Sequence, residues 1–274
     1  MLAGSDVAHS VGIVGVGVMG EALLSALLDR GTPRESIVVS HRRAERVADL
    51  WARYGVAASV DNAATAHADL VVLAVKPQTV WKVAHDLRGQ LGANSTVVSL
   101  VAGVRADDLA MALEHAAVVR AMPNLPARIR RGFTVWYASA AVPITARDAV
   151  ADLLGALGTH WPVVDEADID RATAISGTGP AIVAFFVKAM LEAANYVGAP
   201  RDLGRQAVLT TLRGTLELWV AEDGHLAELI DEVASPGGTT SRALQTLKNG
   251  RFSAVLTEAV AAAHERAKEM GVKT

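Results

Sequence analysis

Between a β-branched run, Val11–Val16, and a helical pattern, Val18–Arg30, the chain carries Gly15-Val16-Gly17-Val18-Met19-Gly20. A G-x-G-x-x-G alone constrains little. With a strand leading into it and a helix leaving it, the spacing fits the first turn of a doubly wound α/β sheet that binds a dinucleotide. Gly15 then permits the tight turn, Gly17 lets a pyrophosphate approach the backbone, and Gly20 lets helix and strand pack closely. A glycine-rich turn with no ligand is the competing reading, and the strand–turn–helix context weighs against it.

The rest of the first ~165 residues keeps the same alternation. Strands are expected at Ser36–Ser40, Leu70–Val75, Thr96–Leu100, Ala117–Met122 and Phe133–Ala138, with helices at Ala44–Tyr54, Gln78–Leu91 and Arg105–Glu114 between them. Leu70–Val75 is apolar on both faces, as a central parallel strand must be. After Trp161-Pro162 the strand patterns stop, and Glu166–Ile175, Pro180–Val197, Asp202–Glu222, His225–Ala234, Thr239–Lys248 and Phe252–Met270 all read as helices. The expected organisation is a flexible tail at 1–10, a Rossmann-type, mostly parallel doubly wound sheet at 11–164, and an all-α domain at 165–274.

Composition sharpens this. The chain of 274 residues is 51% hydrophobic but only 4% aromatic, so its apolar mass is aliphatic and suits α/β layers and close-packed helices. A helical domain this rich in Ala and Leu is expected to bury surface against a second copy, giving a homo-oligomer. A net charge of −3 gives no electrostatic footprint for nucleic acid, and the absence of cysteine excludes disulfides and thiol catalysis. Val11–Leu28 resembles a signal peptide only superficially, because no Lys or Arg precedes it and Glu21 interrupts it. Gly179–Tyr196 is nearly continuously apolar, yet Lys188, Glu192 and Asn195 mark it as a buried helix, with a subunit interface as one place for it, rather than a membrane span. A cytoplasmic protein without membrane partners is expected, and no metal-ligand set is read.

NAD-binding folds place an acid ~20 residues after the glycines, on the ribose 2′-hydroxyl. Here the second strand ends Val39-Ser40-His41-Arg42-Arg43, a hydroxyl followed by guanidinium groups, which suits a 2′-phosphate. NADPH is the expected cofactor, with NADH left open and a solvated basic loop as the plain alternative. Lys76, in Ala74-Val75-Lys76-Pro77, reads as a surface lysine or a cofactor contact in equal measure. Asn62 reads as a helix cap or as a contact to the adenosine half.

Three further patches stand out: Arg120-Ala121-Met122-Pro123-Asn124-Leu125-Pro126, Ser176-Gly177-Thr178-Gly179-Pro180-Ala181, and Ser235-Pro236-Gly237-Gly238-Thr239-Thr240. Singly, each reads as an ordinary turn or helix start. The last, with two glycines and three hydroxyls before a helix, can also hold a small anion on backbone N–H groups. In this order behind a dinucleotide fold, the three resemble the pyrroline-5-carboxylate reductase family. The resemblance runs from about Val11 to Gly271, and Ala74–Pro77, Arg120–Pro126, Ser176–Ala181 and Ser235–Thr240 carry it most specifically.

The resemblance implies hydride transfer from NADPH to the imine carbon of L-1-pyrroline-5-carboxylate, giving L-proline in the last step of proline biosynthesis. It implies a helical domain that interlocks as a dimer, often in a pentamer of dimers. Carried over, Gly15, Val16, Gly17, Val18, Met19 and Gly20 hold the pyrophosphate, with Ser40, Arg42 and Arg43 at the 2′-phosphate and Asn62 on the cofactor. Ala74, Val75, Lys76 and Pro77, with Leu100, Val101 and Ala102, line the nicotinamide half. Met122, Pro123 and Asn124 form the wall between cofactor and substrate. Ser235, Gly237, Gly238, Thr239 and Thr240 hold the substrate, its carboxylate on backbone N–H groups and its ring nitrogen against the Thr240 hydroxyl, which is the expected catalytic group. The loop comes from the partner subunit, so dimerisation completes the site.

There are departures from the family pattern. Leu125 replaces a usual threonine, Arg128, Arg130 and Arg131 make the next loop basic, and Glu232 stands where an amide is common near the substrate. Lys188 stands where an acid is usual. It reads as an i,i+4 pair with Glu192 rather than a catalytic lysine, since no asparagine follows a turn later. Two rival readings stay open: another NADP-linked imine reductase or hydroxyacid dehydrogenase, and, remotely, a non-catalytic NADP-sensing regulator.

Overall fold

The computed structural model describes residues 9–271, so most of the expected tail at 1–10 lies outside the described residues. The first part is one sheet of eight strands: β1 (Val11–Val14), β2 (Ile37–Ser40), β3 (Ala57–Ser59), β4 (Leu70–Leu73), β5 (Thr96–Ser99), β6 (Val118–Met122), β7 (Gly132–Ala138) and β8 (Gly158–Val163). Their spatial order is β3-β2-β1-β4-β5-β6-β7-β8. β1 to β6 are parallel neighbours, β7 runs antiparallel to β6, and β8 is parallel to β7. The reversal of strand order between β1 and β4 leaves a crevice at their carboxyl ends, where ligands bind in open sheets of this kind.

The helices α1 (Val18–Asp29), α2 (Ala44–Tyr54), α3 (Pro77–Leu87), α4 (Ala106–Leu113), α5 (Ile144–Gly155) and α6 (Ala167–Ala172) follow the strands in sequence. Consecutive residues of β4 divide between two apolar layers, because strand side chains alternate in direction. Leu70 and Val72 pack with Leu23, Leu24 and Leu27 of α1, Leu50 of α2, and Leu153 and Leu154 of α5. Val71 and Leu73 pack with Val80, Val83 and Leu87 of α3, and Leu109 and Leu113 of α4. Every residue of β1, β4 and β5 is buried, and β4, Leu-Val-Val-Leu, accordingly reads as a continuous apolar run.

Two strands and one helix of the structure are absent from the sequence-based expectation. β3 is three residues, Ala-Ala-Ser, with no β-branched side chain to mark it. β8 is the other edge strand and holds Pro162, which removes a ladder donor and is tolerated only there. Its sequence, Gly-Thr-His-Trp-Pro-Val, reads as a linker. α5 falls in a stretch to which the patterns assign no element.

The chain divides into two compact units, one reaching Thr178 and including the chain from Ala263 on, the other Gly179–Ala262. The division therefore falls later than the expected boundary at 164, because α6 and the π-helical turn Thr173–Gly177 group with the sheet. The second unit holds α7 (Gly179–Tyr196), α8 (Arg201–Glu222), α9 (Leu226–Val233) and α10 (Thr239–Asn249), and α11 (Phe252–Gly271) begins in it.

Within the single chain α7 is not buried: none of its residues is buried among the described residues, which leaves a subunit interface as the place for the expected burial. Val183 and Phe185 are 60% and 74% exposed, so this apolar surface has no cover within the chain. The run Ala167–Tyr196 is long and apolar enough to cross a membrane by length and composition. Lys188 Nζ lies 3.5 Å from Glu192 Oε1 on the solvent side of α7, one turn apart.

Candidate active site

The turn after β1 gives each glycine a separate task. Gly15 has φ +86°, and a Cβ there would lie 2.4 Å from Val75 Cγ1, so only glycine fits. Its N–H donates to Ser40 O at 2.9 Å, tying the turn to β2. Gly17 is the N-cap of α1 and has nothing within 4 Å of a Cβ position, leaving open space above the helix N-terminus. No side chain caps the helix, so the first-turn N–H groups are free for an anion. A Cβ on Gly20 would meet Gly15 O at 2.6 Å, so the helix comes down close against the turn. Val16 is buried and Val18 exposed, so neither is equivalent to the glycines as a ligand surface.

Beside this turn β4 ends at Leu73, and Ala74 N–H donates to Val14 O at 2.9 Å. Lys76 is the N-cap of α3, and Pro77 occupies its first turn. Leu100 and Val101, after β5, are buried, so of this predicted trio only the backbone and Ala102 face outward. The following Gly103 comes so close to Met270 of α11 that a Cβ would lie 2.9 Å from the Met270 Cβ.

At the end of β2 the structure corrects the predicted donor set. Ser40 is fully buried, and its hydroxyl donates to Asn62 Oδ1 at 2.8 Å. The Asn62 amide in turn donates to Asp86 Oδ2 at 3.1 Å. As the last residue of the strand, Ser40 points into the sheet edge; it orients Asn62 and is not available to a ligand. Arg42 and Arg43 remain exposed, and among the described residues neither has an ion-pair partner. Arg46, by contrast, pairs with Glu21 at 2.6 Å and with Asp49.

Glu21 is the tie between α1 and this loop. It accepts the Tyr54 hydroxyl at 2.9 Å and pairs with Arg53 at 2.7 Å. Burial pushes the Glu21 carboxyl up, but the Tyr54 hydroxyl, Arg46 and Arg53 outweigh it and hold it below the usual range. A carboxyl lowered by folding stabilises above its unfolded pKa, and that contribution is lost as pH falls through the folded value. Glu21→Gln is therefore expected to flatten the stability loss on the acid side, below about pH 4.5, in urea titrations at stepped pH. An unchanged acid limb would remove this tie.

After β6, Asn124 is held through both its amide nitrogen and its amide oxygen. Its amide donates to Ser176 O at 3.1 Å, and its Oδ1 accepts Phe133 N–H at 2.9 Å. The predicted wall residue thus clamps the start of β7 to the π-helical turn Thr173–Gly177. Met122 Cε sits 3.5 Å from where a Gly177 Cβ would be, so the two motifs Arg120–Pro126 and Ser176–Ala181 meet directly.

Beneath them Arg120, 4% exposed, donates to Glu166 Oε1 at 3.1 Å and to Asp170 Oδ1 at 2.6 Å. Glu166 also accepts Ala106 N–H at 2.9 Å. In the sequence Arg120 is legible only as part of a motif; its partners are about fifty residues away, beyond any local pattern.

In the helical unit, Gly237 has φ +72°, and Gly238 is the N-cap of α10. The cap position of α10 has no side chain, and Thr239 and Thr240 are the first two helical residues, so neither threonine caps the helix. Gly238 N–H donates to Ser235 O at 3.0 Å. A Cβ on Gly238 would lie 2.5 Å from Ser235 Oγ, so any larger residue there would have to displace the Ser235 hydroxyl. The first-turn N–H groups are therefore uncapped, and Thr240 is half-buried with a hydroxyl that bonds to nothing among the described residues. Glu232 is exposed on α9. His225 is the N-cap of α9, its N–H donating to Glu228 at 3.3 Å.

Residues 166–270 match the family model described as pyrroline-5-carboxylate reductase dimerisation, and residues 10–103 match NADP oxidoreductase, coenzyme F420-dependent. The pyrroline-5-carboxylate reductase of Synechocystis sp. is 35% identical over 266 residues, covering 96% of this chain and 98% of the relative. The chain belongs to the pyrroline-5-carboxylate reductase family. Among solved structures in that family, the Coxiella burnetii enzyme superposes with TM-score 0.89 at 29% identity, covering 97% of this chain and all of the other. The Plasmodium falciparum enzyme, solved with NADP bound, gives 0.86 at 28% identity over 96% and 98% of the two chains. The match places the uncovered apolar face of α7 in a dimerisation domain.

Proposed function

We infer that this chain is an NADPH-dependent pyrroline-5-carboxylate reductase, forming L-proline. The observation that carries the chemistry is the uncapped start of α10. A helix N-terminus with glycine at its cap offers several backbone N–H groups and a positive dipole end to one small anion. A substrate carboxylate fits that donor set, and the Thr240 hydroxyl beside it, partnerless among the described residues, is free to bond the ring nitrogen.

The cofactor fits the first unit on this structure's own features: the open space at Gly17, the uncapped N-terminus of α1, and two exposed guanidinium groups at the end of β2. NADPH supplies the hydride, from its nicotinamide C4, to the imine carbon. A protonated imine is already electrophilic, so the chain's contribution is mainly to bind and orient. Ser235, Gly237, Gly238 and Thr239 shape the carboxylate clamp. Thr240 stabilises or protonates the ring nitrogen. Arg42 and Arg43 hold the 2′-phosphate, and Asn62, bonded to Ser40 and Asp86, braces the end of β2 beside them. The backbone of Ala74–Lys76 and Ala102, with Met122, lines the nicotinamide half. Asn124 acts through the turn it clamps. Supply of the substrate loop by the partner subunit, further assembly into pentamers of dimers and a cytoplasmic location belong to the same reading.

Arg42→Ala is expected to lower kcat/KM for NADPH at least about tenfold while changing that for NADH by less than about twofold, as loss of a charge-assisted contact requires. Steady-state kinetics with both cofactors checks this. Equal losses would reject the 2′-phosphate assignment.

A further inference from the structure

With Ser40 turned inward, the loop after β2 keeps one polar group that the donor set above does not use: the His41 imidazole. The ring is half-buried, and its backbone is fixed, His41 N–H donating to Ser59 O of β3 at 3.0 Å. Arg43 N–H donates to His41 Nδ1 at 3.2 Å. A nitrogen that accepts cannot also carry the proton, so in the neutral ring the hydrogen sits on Nε2. Nε2 has no partner among the described residues.

We propose that His41 is an uncharged third donor to the 2′-phosphate, its Nε2–H acting beside the Arg42 and Arg43 guanidinium groups and setting the preference for NADPH over NADH. This rests on the cofactor reading above. The turn explains why the group stays neutral: a proton on Nδ1 would break the Arg43 N–H bond. The charged groups that bear on it, Arg43 and Arg42 on its own loop and Arg46 of α2, are all cations. Burial and these cations push the imidazole below its ordinary value. A donor of this kind adds directional discrimination without further raising the positive charge of an exposed loop.

The test uses the full-length protein and calorimetric binding of 2′,5′-ADP and of 5′-AMP, so that no turnover is needed. Two variants separate contact from scaffolding. His41→Asn keeps an acceptor near Nδ1 for Arg43 N–H but loses the reach of Nε2; His41→Gln can place an amide N–H near the Nε2 position. The preference for 2′,5′-ADP is expected to fall about tenfold in His41→Asn, the loss of one hydrogen bond to a charged group. His41→Gln is expected to retain most of it, and AMP affinity to stay within about twofold in both. The fall in His41→Asn is expected to be the same at pH 7 and pH 8. A preference unchanged in His41→Asn, equal falls in both variants, or a fall that grows as pH is lowered overturns the proposal. A wild-type protein that does not prefer 2′,5′-ADP overturns both this proposal and the cofactor reading; a retained wild-type preference with an unaffected His41→Asn overturns this one alone.

Discussion

Arg120→Met is expected to destabilise the protein by about 3–5 kcal/mol, because it takes the cation from Asp170 and leaves the buried Glu166 only the Ala106 N–H and the 3.5 Å pair to the exposed Arg105 among the described residues. Glu166 is 7% exposed and Arg120 is 4% exposed, so neither carboxylate–guanidinium bond is a surface pair of small worth. The loss is a large share of the ~5–15 kcal/mol that holds a typical domain together. In thermal scans it corresponds to a drop of about 10 °C. Protomer concentration must be matched between proteins, since the stability of a self-associating chain depends on it. Arg120→Met with Glu166→Gln and Asp170→Asn is expected to recover part of the loss, because the stranded charges are removed along with the cation. A single variant as stable as the wild type would mean that β6 and α6 are held by apolar packing alone. The consequence for function is indirect: this network fixes the strand that delivers Met122 and Asn124.

The second large effect is on turnover. Thr240→Ala is expected to lower kcat by roughly 10²–10³, the range for removing one donor aimed at a reacting group. NADPH affinity is expected to stay within about twofold, because the hydroxyl belongs to the substrate half of the site. Thr240→Ser retains the hydroxyl and is expected to keep most of the activity. This pattern separates a reacting hydroxyl from a residue that merely begins α10, since alanine and serine are both tolerated in a helix's first turn. Unchanged turnover in Thr240→Ala would leave the carboxylate clamp standing but remove its catalytic group.

Much of the fold is legible in the sequence because its signals are local. The strand–glycine–helix spacing at 11–30 and the doubly apolar run Leu70–Leu73 announce a parallel sheet, and the structure has both. β3 and β8 escape such reading because edge strands need little burial; Ala57–Ser59 and a proline-bearing Gly158–Val163 carry no alternation. The composition of α7 points to burial, while the single chain leaves it uncovered, in a region that matches a dimerisation model.

The site divides along the same line. The glycines at 15, 17 and 20 and the turn at 237–238 follow from backbone geometry that sequence encodes directly. Which polar side chains are free to meet a ligand does not. Ser40 and Asn124 read as contacts, and both are committed within the protein, Ser40 to Asn62 and Asn124 to Phe133 and Ser176. His41 gives no signal in the sequence, because a histidine between a serine and two arginines has no pattern of its own. Only the hydrogen bond from Arg43 shows which of its nitrogens is left to act.

The substrate half rests on one inference from helix geometry, that the bare N-terminus of α10 receives a carboxylate. The most direct measurement is NADPH oxidation by the purified protein with L-1-pyrroline-5-carboxylate, followed by absorbance of the reduced cofactor with proline quantified. One proline per NADPH consumed is expected, with a lower kcat/KM when NADH replaces NADPH. Binding of NADPH with no proline formed, or equal reduction of cyclic imines that lack the carboxylate, would contradict the assignment.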